Sequence, residues 1–536
     1  MESYPFAYLA HLQPLVHIHV TAEISENESV LSSVESLCSW NERSIWQSGA
    51  VRDQTQGKQI SILYRIQKVK ELHATSLQYN GAGHRKLHSS LSPFNTEAPL
   101  YPDGLIGAQW IERYQSNIPC IVLQIVKVPM DVLHDERLAI EMAKTKAFYS
   151  PFGIITIFTL AGEGETISVE RLISLRRLAG LDTRYLVNVV ASDPEMINEI
   201  KSALLNLSTE AIAFYREKAK NTKRRRGRSQ TATPTEPTPL PITAILSRYD
   251  YKLGTFQEIQ QDMENASRSY EAAYEGIVTL LETTAYTPRS QRWNEARMLL
   301  DTMAFKICRS FLYAKSFSSC ARRFNAHTSR VSSLISGKGM GPDLYDYWAW
   351  LSLQNRCFAE LCTNVSRSAF PAHVVAPIER GLNALAVNPQ DTLHQPGIYY
   401  RQAAHYSEER MKHARSNVDV RNTYMVAEPK DEYKTDYCQL LSTDLLTAKS
   451  CFDGAKSPLW VLSTTLELAR VYQKFEHYDK ALELFLDSAA SFRKDRFLIP
   501  LSTTLNAALQ CAKKLDKKNI ANLVSFELLS RGRAHL

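Results

Sequence analysis

Hydrophobic and polar positions change their period near the middle of the chain. Before about residue 220, short runs rich in isoleucine and valine alternate with amphipathic stretches. This pattern predicts strands buried on both faces of a parallel sheet, with helices between them. The predicted strands are 15–20, 59–66, 118–126, 153–160 and 185–191. Their alternation with helices indicates an α/β domain over residues 1–220.

Helix signals lie between and after these strands, at 135–148, 168–179 and 193–220. Ser168 opens the second segment as a good N-cap, and Asp193-Pro194 opens the third with an N-cap followed by proline. Residues 70–110 have little periodicity, and we interpret them as an insertion or long loop.

The composition changes again over residues 221–241, which predict a basic, Pro/Thr-rich linker. Four prolines and four threonines between 229 and 241 leave almost nothing apolar to bury. From residue 242 to 536 only helical periodicity remains. We therefore predict an all-α domain over 242–536 that folds without the first domain.

Helix hairpins of the tetratricopeptide (TPR) type are indicated by small and aromatic residues at fixed spacing. Three sites match this spacing, the last including Phe485, which we expect to be buried between two helices. They are not in tandem, which predicts an irregular α-solenoid of TPR-like helix hairpins. The matching residues are Gly254, Met263, Ala266 and Tyr270; Cys308, Phe311, Phe317, Cys320 and Phe324; and Ala469, Tyr472, Tyr478, Ala481 and Phe485.

Positive charge is concentrated in one segment. Residues 216–228 hold eight basic residues and one acid. The net charge of this segment equals the formal net charge of the whole chain, +7. Three readings stay open: a solvated linker, a contact with an anionic membrane or acidic protein, or a nuclear or nucleic-acid role. The candidate anionic-surface contacts are Lys223, Arg224, Arg225, Arg226 and Arg228.

Candidate chemistry is sparse. The glycine-rich loop around Lys338 lacks the Ser/Thr and the upstream glycine of a phosphate loop, and Gly162 with Gly164 lacks a third glycine, so plain turns are favoured. Histidine pairs at 17/19 and 84/88 have no obvious further ligand. With no nucleophile signature either, we expect no catalytic, cofactor or metal site.

The cysteines and apolar runs exclude other classes. Nine cysteines without a CxxC pair fit reduced thiols, and Cys357 and Cys362 fit small core residues. No apolar run reaches the ~20 residues of a membrane span, and the first ten residues do not resemble a signal peptide.

A ten-residue string at 395–404, Gln-Pro-Gly-Ile-Tyr-Tyr-Arg-Gln-Ala-Ala, strongly resembles the foie gras domain of a large subunit of the TRAPP (transport protein particle) vesicle-tethering complex. Segments 248–274, 305–308, 478–482 and 501–512 are also similar to that family. The string begins a helix, and its apolar face either packs inside the solenoid or contacts a partner. Its motif residues are Pro396, Gly397, Tyr399, Tyr400, Ala403 and Ala404.

The resemblance implies a non-catalytic scaffold in endoplasmic reticulum-to-Golgi transport and autophagy. Its partners would be other TRAPP subunits and, indirectly, a Rab GTPase, at the cytoplasmic face of Golgi or ER–Golgi intermediate membranes, with no nucleic acid. Such family members usually continue into β-rich modules, so we expect a fragment or a short form. Two alternatives are a Rossmann-like enzyme domain with a helical regulatory tail, and a nuclear TPR-like adaptor.

Overall fold

The structure is a computed structural model. It describes residues 9, 12–20, 64–69, 105–106, 110–111, 113–128, 131–162, 167–190, 196–231, 240–283, 288, 290–314, 316–363, 395–416, 435–455 and 457–532. Predictions for His84, His88, Gly164 and the Asp193-Pro194 cap lie outside the described residues.

Five parallel strands form one sheet in the order β2-β1-β3-β4-β5. Four predicted strands are present with their ends shifted by at most three residues; of the predicted strand 59–66, residues 65–66 belong to β2, and 59–63 lie outside the described residues. The strands are β1 (Leu15–Val20), β2 (Arg65–Val69), β3 (Ile121–Lys127), β4 (Ile155–Gly162) and β5 (Leu186–Val190).

The centre of this sheet is buried on both faces. Ile18 pairs with Leu123, which pairs with Ile157, and none of the three has measurable exposure. On the other pleat face Val122, Phe158 and Leu160 are also buried, which explains why the strands are largely Ile/Val runs rather than alternating ones. The predicted parallel α/β domain is confirmed.

Helices flank the strands much as predicted, and Ser168 caps α2 by accepting from the Arg171 N–H. The predicted helix 193–220 differs: it is two helices that meet at the buried Leu207, and the second continues to Thr231. These helices are α1 (Asp135–Tyr149), α2 (Val169–Leu178), α3 (Met196–Asn206) and α4 (Ser208–Thr231).

Three further helices belong to the same compact unit as the sheet. The contacts divide the chain into one unit of Tyr4–Tyr313 and another of Ala314–Leu536. The predicted division within 221–241 therefore falls inside the first unit, and residues 221–231 of the predicted linker are helical. The three helices are α5 (Ile242–Ile259), α6 (Met263–Glu282) and α7 (Gln291–Tyr313).

A buried charge cluster explains why these helices join the sheet. The Glu258 carboxylate of α5 accepts from Lys306 Nζ at 2.8 Å and from the Arg309 guanidinium, both on α7. The Leu12 N–H, just before β1, donates to Glu258 at 3.3 Å, and Arg309 donates to the Leu9 carbonyl at 2.7 Å. Separating 242–313 from the sheet would expose these charges without their backbone partners, which corrects the expectation that 242–536 folds alone.

The second unit is entirely helical in its described residues, which confirms the predicted all-α half. Consecutive helices pack against each other from α9 onward. The unit contains α8 (Phe317–Gly337), α9 (Tyr345–Thr363), α10 (Pro396–Ser416), α11 (Tyr437–Gly454), α12 (Pro458–Lys474), α13 (Tyr478–Lys494), α14 (Leu498–Lys514) and α15 (Lys518–Gly532).

The last four helices begin 20 residues apart, a regularity that the sequence pattern did not reveal. Each turn between them places one non-glycine residue in the left-handed region: Glu476 (φ 64°), Arg496 (φ 57°) and Asp516 (φ 52°). At the first turn His477 N–H donates to the Tyr472 carbonyl at 2.9 Å, the bond that closes a Schellman turn. Pro500 lies in the first turn of α14, where a missing N–H costs nothing.

Two of the predicted TPR-like hairpins are formed. A Cβ at Gly254 would lie 2.9 Å from the Tyr270 ring, so α5 and α6 approach as closely as the small residue allows. Phe485 is 1% exposed and packs with Ala469 and Ala481 between α12 and α13, as predicted. The residues of the third site lie on α7 and α8. Helix α7 is the last helix of the first unit, and α8 is the first helix of the second.

The buried His17 predicts a pH-dependent stability of the sheet. Burial lowers the pKa of His17 from 6.5 to about 4, although its Nε2 lies 2.8 Å from the Ser116 carbonyl oxygen. Between pH 6.5 and 4 the folded state therefore binds fewer protons than the unfolded state. Stability present above pH 6.5 should be lost as pH falls through this window, by about 3 kcal/mol at ~1.4 kcal/mol per pKa unit.

The measurement is the unfolding temperature of the wild type and of His17→Gln across this pH range. The variant should lose less stability on acidification. The control His134→Gln, on an exposed histidine, should follow the wild type. Parallel curves for the wild type and His17→Gln would show that His17 does not titrate on unfolding.

Candidate functional site

The predicted basic contact lies on the last two turns of α4. Burial divides its residues: Arg226 turns toward the neighbouring helix, and the others are exposed. Two N–H groups of Arg226 donate to the Asp250 carboxylate of α5, one of them at 3.0 Å to Oδ2. The residue is therefore a packing contact as well as a charge. The exposed members are Lys223, Arg224, Arg225 and Arg228.

This ion pair also explains why the segment is helical and not an extended linker. Asp250 is mostly buried, and burial raises its pKa against the opposing effect of Arg226. If Arg226 pointed into solvent, the buried Asp250 carboxylate would lose the cation with which it pairs. The bond joins residues 24 positions apart, so the local composition of 221–231 did not reveal it.

The family string opens α10, as predicted, and its glycine has a steric reason. Pro396 is the first helical residue, where proline is favoured. A Cβ at Gly397 would lie 2.8–2.9 Å from the Phe452 ring of α11. Only glycine lets α10 come this close to α11 without displacing that ring.

Both tyrosines of the string are buried. The Tyr399 ring lies edge-on to Phe358 at 4.7 Å and to Phe324 at 5.8 Å, and those two phenylalanines stack at 4.1 Å. Tyr400 is 7% exposed, and burial raises its pKa. The aromatic cluster joins α8, α9 and α10.

The two alanines complete the packing of α10. Ser352 of α9 donates to the Ala403 carbonyl at 2.9 Å and lies 2.7 Å from the Ser407 hydroxyl. Ala404 belongs to an apolar cluster with Leu441 and Leu468. With at most 7% exposure at these four positions, the geometry favours internal packing over direct contact with a partner.

Bidentate ion pairs join the helices around this string. Arg356 of α9 donates to the Asp444 carboxylate of α11 at 2.9 and 2.7 Å. Arg401 of α10 donates to both carboxylate oxygens of Glu467 on α12. These pairs fix the rotation of each helix, because a fork-to-carboxylate bond tolerates little misalignment.

One exposed apolar row lies on α15. Leu523 and Phe526 are each 70% exposed and Leu529 is 67% exposed, while Val524 on the opposite side packs against α14. Ala469 on α12 and Ala489 on α13 occupy the position in their helices that Leu529 occupies in α15. Both alanines are fully buried. A helix that is apolar all round is normally covered on more than one side.

The residues considered as candidates for catalysis or ligand binding do not come together in one site within the described ranges. The Lys338 loop is a turn between α8 and α9, and Gly162 ends β4. His17 faces the Ser116 carbonyl, whereas His19 lines an open groove of about 610 Å³ on the sheet. Within the described ranges, no group of three His, Cys, Asp or Glu side chains has a metal-binding arrangement.

The two cysteines that were expected to be small core residues lie in the core. Cys357 and Cys362 are buried in α9, and burial raises the pKa of Cys357 to about 12. No helix among the described residues is sufficiently long and apolar to traverse a bilayer.

Comparison with known proteins now identifies both parts of the chain. Residues 292–531 match the model of Foie gras liver health family 1, and residues 27–197 match the Trafficking protein particle complex subunit 11 N-terminal domain. Relatives include Trafficking protein particle complex subunit 11 of Bos taurus and Homo sapiens, each 22% identical over 327 residues, and of Gallus gallus, 23% identical over 330 residues. Each match covers 53% of this chain and 26% of the relative, so the chain spans about a quarter of the length of these curated relatives.

The fold is a parallel α/β domain followed along the chain by packed helix hairpins. A Pro-Gly-x-Tyr-Tyr string lies at a junction between these helices. The two family matches leave out only 1–26, 198–291 and 532–536. Residues 292–531 therefore form a foie gras domain, and residues 27–197 form a domain of the kind found at the N-terminus of trafficking protein particle complex subunit 11. The predicted resemblance is confirmed.

Sequence reasoning missed two sets of charged residues, both in the first unit. Glu258, Lys306 and Arg309 form the buried cluster described above. Lys252 is buried on α5 beside Trp110, in a segment interpreted as an insertion. Each of these residues lies on an amphipathic helix, where a charge normally indicates the solvent face, so no local signal distinguished them.

Proposed function

We propose that this chain is a scaffold subunit of a trafficking protein particle complex that acts in endoplasmic reticulum-to-Golgi transport and autophagy. The observation that carries the proposal is the order of two matched domains in one chain, both related to subunit 11 of that complex. The chain would hold other subunits through its helical surface at Golgi or ER–Golgi intermediate membranes. Nucleotide exchange on a Rab GTPase would stay with other subunits, and no nucleic acid takes part.

Packing in the second unit supports a scaffold. The aromatic cluster around Tyr399 and the Arg356–Asp444 and Arg401–Glu467 pairs hold successive helices in a fixed arrangement. A rigid row of helices offers a long surface to partners. The exposed basic residues of α4 would add contact with an anionic membrane, as Lys and Arg near such a surface contribute about 1 kcal/mol each.

The apolar row of α15 is where we expect another subunit of the complex to dock. The test is capture of purified small subunits of the complex by the tagged full chain. Changing Leu523, Phe526 and Leu529 together to serine should reduce capture by at least about tenfold, as expected for anchors at an interface centre. The unfolding temperature should hardly change, because these side chains are about two-thirds exposed.

The matched control changes Glu483 and Asp487, exposed polar residues of α13, to serine and should leave capture unchanged. Equal capture by the wild type and the α15 variant would place the docking surface elsewhere. Failure of the wild type to capture any subunit would contradict the complex assignment itself. Nucleotide exchange catalysed by the purified chain alone would contradict the scaffold assignment.

An enzyme or ligand-binding role of the α/β domain is the second candidate, and the groove on the sheet favours it. Its lining includes His19, Gln124, Lys144 and Tyr149. Saturable binding of a nucleotide at micromolar concentration, lost in Lys144→Met, would support this role. A nuclear adaptor role, which would use the same basic residues of α4, is decided by the localisation of the full chain.

A further inference from the structure

Lys252 on α5 is a buried cation without a counterion. Its side chain belongs to a residue only 8% exposed, and its Nζ lies 4.8 Å from the centre of the Trp110 ring. Among the described residues no carboxylate pairs with it, and no hydrogen-bond acceptor contacts it. A cation–π contact recovers only part of the hydration that a buried ammonium loses.

Three elements form the surroundings of Lys252. The segment that contains Trp110 and Tyr114 lies over α5, because both rings contact Phe256, at 5.7 and 4.9 Å. On the other side, the Arg226–Asp250 pair sets the register of α4 against α5. In that antiparallel register, the neighbouring residue Arg225 lies beside Lys252.

The charged groups that act on Lys252 itself are positive, whereas Glu295 acts on Arg248 and Glu217 acts on Lys218. The groups acting on Lys252 are Arg248 on α5, Arg225 on α4 and Arg113 on the Trp110 segment. Lys218, about two turns before Arg225, also interacts with the charges of Arg113 and Arg225, and its Nζ lies over the Phe214 ring at 4.8 Å. Neither Lys218 nor Arg225 has a carboxylate partner among the described residues.

Such a cluster is unfavourable unless an anion completes it. Ion pairs elsewhere in this unit show the usual solution, since Arg226 and Arg171 each hold a carboxylate. We propose that Lys252, Lys218 and Arg225 form a pocket that binds the phosphate monoester of a lipid headgroup. A phosphate supplies two negative charges and three acceptor oxygens, enough for several cations at once.

The exposed face of α4 indicates that a membrane supplies the phosphate. Lys220, Lys223, Arg224 and Arg228 continue the positive charge beyond the pocket along the helix surface. A row of this length fits an extended anionic surface, whereas a single soluble phosphate would use only the pocket. The proposal deepens the membrane contact proposed above and rests on it only for the source of the phosphate.

A bound phosphate would also change the protonation of Lys252. Burial, reinforced by Arg248, Arg225 and Arg113, lowers the pKa of Lys252 well below its usual value. An adjacent dianion raises the pKa again, so binding takes up a proton. Affinity should therefore fall as pH rises above about 7, where the monoester itself stays doubly ionised.

The experiment measures binding of the purified full chain to three kinds of phosphatidylcholine vesicle: neutral, containing phosphatidylinositol monophosphate, or containing phosphatidylserine at equal surface charge. The wild type should prefer the phosphoinositide vesicles by about tenfold or more, the value of a charge-assisted hydrogen bond in a buried site. Lys252→Met should remove that preference and leave binding to phosphatidylserine vesicles nearly unchanged.

Two further variants serve as controls. Lys223→Met makes the same change of charge on the exposed face of α4 and should weaken binding to both anionic vesicles by a similar, small factor. Arg225→Gln changes an exposed residue and should leave the fold intact, so it should reduce the phosphoinositide preference even if Lys252→Met folds poorly.

Three results would overturn the proposal. The first is equal binding of phosphoinositide and phosphatidylserine vesicles by the wild type, and the second is an unchanged preference in both pocket variants. The third is binding of the soluble headgroup, glycerophosphoinositol phosphate, by a wild type that phosphoinositide vesicles do not recruit, because the ligand would then be a free phosphate. No other subunit is present, so these outcomes are independent of the capture experiment.

Discussion

Glu258→Ala is expected to lower the free energy of unfolding of the N-terminal unit by ~3–5 kcal/mol, the usual cost of breaking a buried ion pair. The variant leaves Lys306 and Arg309 uncompensated, with side-chain exposures of 1% and 2%. It also removes the acceptor of the Tyr270 hydroxyl, which donates to Glu258 at 2.6 Å. Burial already lowers the pKa of Lys306 to about 8 in the presence of Glu258, so the ammonium depends on this carboxylate.

Calorimetry on the full chain is the measurement, and the transition of the first unit should move down by roughly 5–15 °C. Glu264→Ala is the matched control, because the Glu264–Arg268 pair one helix later is more than two-thirds exposed. That pair should contribute less than ~0.5 kcal/mol. A Glu258 variant no less stable than the control would mean that the buried cluster does not hold α5 and α7 to β1.

Changing Tyr399 and Tyr400 together to alanine should destabilise the second unit by at least ~5 kcal/mol. Removal of one buried aromatic typically costs ~3–5 kcal/mol, and neighbouring sites are not fully additive. The Tyr399 ring packs edge-on against the stacked rings of Phe324 and Phe358, and its removal leaves a cavity beside them. The protein should then leave the complex because the α8–α10 junction loses its packing.

The matched variant changes both tyrosines to phenylalanine, which keeps the rings and should cost under ~2 kcal/mol. Unfolding temperature and capture of the small subunits are measured for both variants. In the packing interpretation the two quantities fall together in the alanine variant and both survive in the phenylalanine variant. Loss of capture by the alanine variant at an unchanged unfolding temperature would establish direct partner contact instead.

Local sequence patterns were sufficient to predict structure wherever burial follows from the residues of a short segment. In Ile121–Lys127, Ile121, Leu123 and Ile125 on one pleat face and Val122 and Val126 on the other are buried, and such a run predicts a strand without further information. Gly254 and Tyr270 revealed a hairpin because only a small residue permits that approach. No such run predicts the strand order β2-β1-β3-β4-β5, because each strand could pair with several others.

The basic segment shows where local composition misleads. Residues 221–231 carry too much charge and too little apolar surface to predict burial, so a linker was predicted there. The segment is helical because Arg226 meets Asp250 and because α4 packs along α5. Tertiary contacts of this kind override a weak local preference for coil.

The sequence by itself determined the class of each half, the TPR-like spacing, the absence of a recognised catalytic motif and the foie gras resemblance. All of these follow from short-range periodicity or from a contiguous string. Only the tertiary structure decided that α5–α7 belong to the unit of the sheet, that the tyrosines of the string face inward, and that Lys252 is buried with no carboxylate partner among the described residues. The physical reason is that the cost of a charge depends on which distant groups surround it, whereas sequence patterns report only its neighbours along the chain.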